Sequence, residues 1–438
     1  MTRTTRPSPA LPAPPEAALN VSRELARRIG VSIDAAGGWI GFDAWMQRAL
    51  YEPGLGYYAA GSSKFGAAGD FVTAPELSPL FGACIATQCL QWFDEGVPAV
   101  VFEFGAGSGA LAAQLLTALD AEGRAPQRYA IVDVSADLRE RQRQRLAADV
   151  PHLLDRVAWL DALPDRIEGV VLGNELLDAM PVRLFRRNGA AVFERGVTRA
   201  PDGEGFVLAD RPADAAFASR VHVLLAQGDV DGQSAADDAG QTEYTSELGE
   251  QAQAWVETVG ARLVHGALLL IDYGFPRAEF YHPQRDRGTL RCHYRHRSHD
   301  DPLLWPGLQD ITAHVDFTAM AQAAAQAGLD LLGFTSQARF LLDCGLLEKL
   351  MAQPRGDALA WARQTQAVQQ LLSEAEMGEL FKVIAFGRGV ADDAIGFAGR
   401  DRRASLGVLG TVSDAGANAA TTRGGDPAYP DDAEAPQR

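Results

Sequence analysis

Gly105, Gly107 and Gly109 stand at alternate positions directly after the apolar run Val100–Phe104. An Ala/Leu-rich helical pattern begins at Ala110. A glycine turn of this kind lets a ligand approach bare backbone, and the helix start offers free N–H groups. Glu103, two residues before the first glycine, can accept a hydrogen bond from an amino group and would repel a pyrophosphate. The next apolar run, YAIVDVS, ends at Asp133, where a carboxylate can bond both hydroxyls of a ribose. Asp133 can equally be read as an acid at a helix start. Asp161 closes a third run, within reach of an adenine amino group. The glycine pattern fits both S-adenosylmethionine (SAM) and a dinucleotide, with Ala110 completing the latter. Glu103 favours SAM.

A second acidic constellation is Asn174, Glu175 and Asp178 in VVLGNELLDAMPV. A helical turn here would set Glu175 and Asp178 on one face. Two carboxylates so placed can grip a planar guanidinium. The same residues also read as an Asn cap with acids in a first helical turn. Asp272, in Asp272-Tyr273-Gly274, is expected to border the substrate channel, with Asp310 and His314 contributing and Asp316 capping a helix. The run RCHYRHRSHDD (291–301) holds Cys292, His293, His296 and His299. Zinc sites draw ligands from two separated pairs, and a single arginine-rich run does not supply them. We therefore expect no metal, and a substrate-facing loop in which His296 contacts the target or accepts a proton. Tyr57-Tyr58, Trp92-Phe93, Met377 and Phe381 read as packing.

The elements that position these residues alternate between strand and helix. Strands are predicted at 99–104, 128–133, 156–160, 168–173, 264–272, 329–335 and 381–387. Helices are predicted at 109–121, 136–148 and 245–260. Short connections and apolar strands predict an α/β fold, a seven-stranded doubly wound sheet whose last strand returns antiparallel. Residues 17–95 form an N-terminal helical cap region and 96–390 the core. The core carries an insertion at about 182–243, with short strands at 182–209 and an acidic loop at 228–243. Residues 1–16 and 400–438 lack periodic apolar residues and read as disordered tails.

The chain has 438 residues, 47% hydrophobic, with a formal net charge of −17. That charge disfavours nucleic acid as a partner and suits a basic one. No apolar run approaches the ~20 residues of a membrane span, so no membrane insertion is expected. The N-terminal MTRTTRPSPALPAPP has five prolines and no apolar core like a secretory signal. The cysteines (Cys84, Cys89, Cys292 and Cys344) form no CxxC pair and read as reduced thiols.

Eight segments in order resemble one known family: 56–82, 103–111, 129–142, 173–185, 269–275, 288–296, 309–317 and 377–389. GDFVTAPELSPLFG and NELLDAMPV are the most distinctive. Together they resemble the MidA-like SAM-dependent methyltransferases, a family that includes a mitochondrial arginine methyltransferase of respiratory complex I assembly. The resemblance implies a Rossmann-like class I methyltransferase fold, SAM in the glycine turn and methyl transfer to a protein arginine. It also implies a subunit of respiratory NADH dehydrogenase as partner. Carried onto this chain, Glu103, Gly105, Gly107, Gly109 and Asp133 hold SAM. Asp70, Thr73, Pro75 and Glu76 lie in a loop over it, and Asn174, Glu175 and Asp178 line the substrate side. Ala106 and Ser108 replace the Pro and Arg of many members. A bacterial source implies a cytoplasmic protein, a eukaryotic one the mitochondrial matrix. Two other readings are a non-catalytic SAM-binding assembly protein and an NAD-dependent oxidoreductase.

Overall fold

The computed structural model describes residues 11–60, 73–133, 135–228, 243–355 and 357–408. The seven apolar runs form a central sheet of β1 (Val100–Phe104), β2 (Arg128–Val132), β3 (Val157–Leu160), β4 (Ile167–Asn174), β5 (Leu263–Phe275), β6 (Asp330–Ser336) and β7 (Phe381–Arg388). Their spatial order is β6-β7-β5-β4-β1-β2-β3. From β5 through β4, β1 and β2 to β3, neighbouring strands are parallel. As expected, β7 runs antiparallel to both β5 and β6. The winding reverses between β1 and β4, so a crevice opens at the carboxyl ends of these two strands.

Alternation along each strand sends side chains to two different cores. In β1, Val101 packs with the helices Leu80–Asp94 and Ala110–Ala121. Phe102 and Phe104 face the helices Glu250–Arg262 and Phe317–Gln326 on the other side. Asp316 caps the last of these, accepting from the Ala319 N–H at 3.1 Å. A third core joins the helices Glu16–Ala35 and Phe42–Tyr51 to the insertion. Leu25, Ile29 and Ile33 recur every fourth residue on the first of them, which gives it one apolar face. That face meets a sheet made of Arg183–Asn188, Ala191–Arg199, Phe206–Pro212, Tyr244–Leu248 and the short Ile40–Gly41. Another small sheet comprises Arg291–Tyr294, Arg297–His299 and Asp310–Thr312.

Three sequence expectations change. The predicted helix 245–260 begins as the strand Tyr244–Leu248, because Arg183–Asn188 offers an edge to pair with, and the helix starts at Glu250. The tail expected from 400 is ordered to 408. Arg402 N–H donates to the Phe334 carbonyl at 2.7 Å, Thr335 Oγ1 donates to the Arg400 carbonyl, and Leu406 is buried. These contacts cover β6, the sheet's edge strand, whose backbone groups would otherwise lack partners. At the other end, a helix already begins at Glu16. The acidic loop lies mostly outside the described residues. The four cysteines are buried and free. No helix among the described residues is long and apolar enough to cross a membrane.

Candidate active site

A cavity of about 820 Å³ opens at the carboxyl ends of β1, β2 and β4. Its volume suits a cofactor-sized ligand. At one end lies the glycine turn. Gly105, Gly107 and Gly109 have φ of +64°, +52° and +81°, which side-chain-bearing residues avoid. A Cβ on Gly105 would also lie 3.1 Å from Leu176 Cδ1. Glu103 lines this end, and its carboxylate accepts from the buried Tyr129 hydroxyl at 2.7 Å. Burial raises Glu103 to about 7, with the Tyr129 bond opposing and the Asp133 charge adding to the rise.

Asp133 sits at the end of β2, also in the cavity wall. Its Oδ1 accepts from Ser135 N–H and its Oδ2 from Gln142 Nε2, both at 2.9 Å. Each carboxylate oxygen has two lone pairs, so both can still accept a ribose hydroxyl. Ser135, not Asp133, caps the helix Ala136–Asp149. Asp161 reaches the cavity rim largely exposed, and accepts from Arg139 at 2.6 Å. The same guanidinium bonds the carbonyls of Asp133 and Leu160, tying the ends of β2 and β3 together. Val132, Leu138 and Leu163 make this end an apolar slot fit for a flat heterocycle.

Thr73 and Pro75 line the cavity. Glu76 turns away from it, accepting hydrogen bonds from Ser108 Oγ and from Arg145 Nη1 at 2.7 Å. This clamp ties the Ala74–Leu77 segment to the glycine turn. Asp70 lies outside the described residues.

The other end is acidic. No helix follows β4; Glu175 adopts φ +50°, and the chain bends through residues 175–180. The Asn174 helix-cap alternative therefore falls, yet Asn174, Glu175 and Asp178 all line the cavity. Glu175 Oε1 accepts at the long distances of 3.4 Å from Ala74 N–H and 3.3 Å from Asn174 Nδ2. Among the described residues, the buried Oδ1 atoms of Asn174 and Asp178 have no hydrogen-bond partner. Burial, then the Asp178 charge, pushes Glu175 up to about 8. Burial likewise raises Asp178, against a hydrogen bond from the Tyr273 hydroxyl.

Two expected substrate contacts lie elsewhere. Asp272 is buried behind the turn, its Oδ2 accepting from Leu176 N–H (3.1 Å), Leu177 N–H (2.8 Å) and Asp178 N–H (3.3 Å). It shapes the Asn174–Asp178 bend instead of facing the channel. His296 is an exposed residue at a hairpin tip, because the RCHYRHRSH run pairs with itself. Its neighbours Arg291, His293 and Ser298 line the cavity instead. Asp310 and His314 line it as expected, and burial pulls His314 down to about 3, keeping it neutral. Among the described residues no group of three or more His, Cys, Asp or Glu side chains clusters as a metal site.

Several contributors were not singled out in the sequence. Gln142 is fully buried and donates to both Asp133 and the Gly107 carbonyl (3.0 Å), while accepting from Trp159 Nε1 (2.9 Å). The signal for it was its place four residues before Leu146, the other buried position of its helix. Tyr58, read as packing, lines the cavity and donates to Asp310 Oδ1 at 2.9 Å, with Tyr51 stacked against it. Met377 and Phe381 pack on the core and also line the cavity, Phe381 as the first residue of β7.

Residues 84–335 match the family of S-adenosyl-L-methionine-dependent methyltransferases. The mitochondrial protein arginine methyltransferase NDUFAF7 of Mus musculus is 30% identical, over 78% of this chain and 79% of the relative. Its counterpart from Danio rerio is 26% identical, over 83% of this chain and 86% of the relative. A solved superfamily member from Burkholderia thailandensis, bound to S-adenosyl-homocysteine, is 50% identical with a TM-score of 0.85. That likeness covers 91% of this chain and 100% of the solved one. The glycine cradle and the spare acceptors of Asp133 fit the same cofactor here. SAM, and not NAD, is thus the cofactor, and catalysis replaces the non-catalytic alternative. The chain belongs to the MidA-like SAM-dependent methyltransferases, with a Rossmann-like fold.

Proposed function

We propose that the chain methylates an arginine side chain of a protein. The observation that carries this reading is the pair of buried acceptors, Asn174 Oδ1 and Asp178 Oδ1, that have no partner among the described residues, beside Glu175 in the cavity that also holds the glycine cradle. Buried acceptors left open are costly unless a donor fills them, and a guanidinium brings five N–H donors in one plane. The relatives named protein arginine methyltransferases support the same substrate class.

In this reading Glu103, Gly105, Gly107, Gly109 and Asp133 hold SAM, with Thr73 and Pro75 above it and Asp161 near the adenine. SAM supplies a methyl carbon on a sulfonium, already activated toward attack. The protein's part is to align the acceptor and exclude water. Glu175 and Asp178 bond two guanidinium nitrogens, draw the delocalised charge toward them and leave the third nitrogen its lone pair, with Asn174 fixing the plane. Methyl transfer to a protonated guanidinium releases one proton. The positive charge of the bound guanidinium favours the ionised form of Glu175, whose Oε2 then receives that proton, since Oε1 already accepts from Ala74 and Asn174. Asp272 positions this bend from behind, and Tyr273, which also lines the cavity, orients Asp178 through its hydroxyl. The proposed partner, by family resemblance, is a subunit of a respiratory NADH dehydrogenase. The proposed setting is the cytoplasm of a bacterial source or the mitochondrial matrix of a eukaryotic one.

Glu175→Gln tests the assignment. Labelled methyl transfer should fall at least about a hundredfold while S-adenosyl-homocysteine affinity stays within about threefold. Full turnover in this variant would remove Glu175 from the mechanism.

A further inference from the structure

The helix Ala74–Leu77 touches both ends of the cavity. Its first residue, Ala74, donates its N–H to Glu175 Oε1 at 3.4 Å. Its third, Glu76, reaches the glycine turn at Ser108. Four residues make barely one turn, and a helix so short has no stability of its own. Thr73, the residue before it, supplies no side-chain cap. Other parts of the fold must therefore set where Ala74 stands. Part of this comes from the burial of Ala74 and Pro75, and part from a bond between Gln114 Nε2 and the Pro75 carbonyl.

A further tether is ionic. Arg145 meets Glu76 as a fork, Nη1 on Oε1 at 2.7 Å and Nη2 on Oε2 at 3.2 Å. Its Nη1 also donates to Ser108 Oγ at 2.8 Å, and its Nε lies 3.7 Å from Asp149 on its own helix. A forked pair fixes direction as well as distance. Arg145 stands three residues after Gln142, on the same face of the helix Ala136–Asp149. Gln142 holds Asp133 and the Gly107 carbonyl. One helix face thus fixes Asp133 and, through Glu76, the segment that bonds Glu175.

We propose that Arg145 is a positioning residue for Glu175: by clamping Glu76 to the glycine turn it keeps the Ala74 N–H on Oε1 and so leaves Oε2 for the acceptor. The consequence for turnover rests on the role given to Glu175 above; the clamp itself does not. Arg145 is not among the cavity-lining residues and acts through Glu76 and Ala74. Burial and the charges of Asp178 and Asp310 oppose ionisation of Glu175, whereas the bonds from Ala74 and Asn174 favour it. Asp272 lies behind the same bend, and Arg291, His293 and His314 line the cavity. Tyr51, Tyr58 and Tyr273 are raised by burial and stay neutral. All of these groups remain when Arg145 or Glu76 is replaced. Loss of the Ala74 bond therefore has one sign, a Glu175 that ionises at higher pH.

Two measurements on the full chain test this. The carboxyl carbon of Glu175, identified by its absence from Glu175→Gln, is titrated by NMR in R145M, E76A and the wild type. Labelled methyl transfer to lysate protein is followed at saturating SAM in the same proteins. Both variants should raise the Glu175 midpoint by roughly 0.5–1 pH unit and slow transfer about five- to tenfold. R145K, which keeps the charge but loses the fork, should fall between them and the wild type. A through-space charge effect would move R145M and E76A in opposite directions, because one loses a cation and the other an anion. Opposite shifts, or midpoints unmoved in both variants, would overturn the proposal. So would slower transfer that more SAM restores, since the clamp would then serve the cofactor alone. Raised midpoints together with full turnover in Glu175→Gln would keep Arg145 as the positioning residue and refute the catalytic role of Glu175.

Discussion

The two ends of the cavity treat buried carboxylates in opposite ways. At the cofactor end, Glu103 and Asp133 each have short protein partners, at 2.7 Å from Tyr129 and 2.9 Å from Ser135 and Gln142. At the Glu175 end, Glu175 has, among the described residues, only contacts of 3.3 Å or longer on Oε1, and Asp178, though bonded by Tyr273, keeps Oδ1 without a partner. The first end has its carboxylates satisfied by protein partners before anything binds. The second is left under-satisfied, with Glu175 held at positive φ and raised to about 8 by burial and Asp178. Preorganisation suits a ligand common to every turnover, and an open set of acceptors suits an arriving cation whose donors complete it.

Breaking the satisfied end should have the largest effect. Gly105→Val combines a φ of +64° with a contact to Leu176 Cδ1, and should weaken S-adenosyl-homocysteine by more than about 100-fold in a calorimetric titration. Gln142→Leu should weaken it about tenfold. It should also cost roughly 1–3 kcal/mol in denaturant unfolding, because Trp159 Nε1 and the Gly107 carbonyl lose their partner. At the open end, Glu175→Gln should stabilise the fold as pH rises. The native carboxyl, raised to about 8, stays protonated where the unfolded one, near 4.5, has ionised. Wild-type stability therefore falls from about pH 4.5 to 8 as the burial of Glu175 opposes ionisation, and the Gln variant escapes that fall. Melting temperatures should coincide at pH 4 and differ by several degrees at pH 8.5. Ser108→Ala should do least, changing cofactor affinity within about threefold, since Arg145 still holds Glu76 at 2.7 Å.

What the sequence made legible follows the same division. The seven strands and the glycine turn rest on local signals, apolar period and backbone freedom, and each lies within a residue or two of its predicted place except β5, which runs on to Phe275. Glu103 and Asp133 were legible because strand ends by a glycine turn face the crevice whatever the rest of the chain does. Asp272 was misread because its partners, the N–H groups of residues 176–178, lie more than ninety positions away along the chain. A buried acid shaping a bend and an acid facing a channel have the same local sequence. Gln142 was hidden in a polar, arginine-rich helix, where its role depends on which face meets the glycine turn. His296 and His293 differ by three residues in one run, and only the strand register decides which reaches the cavity.

The most direct test feeds SAM carrying a labelled methyl group to the full chain with a cell lysate, and locates the label by mass spectrometry. Label is expected on arginine side chains, and none when Glu175→Gln replaces the wild type. Label confined to lysine, carboxylate or small-molecule acceptors would contradict it.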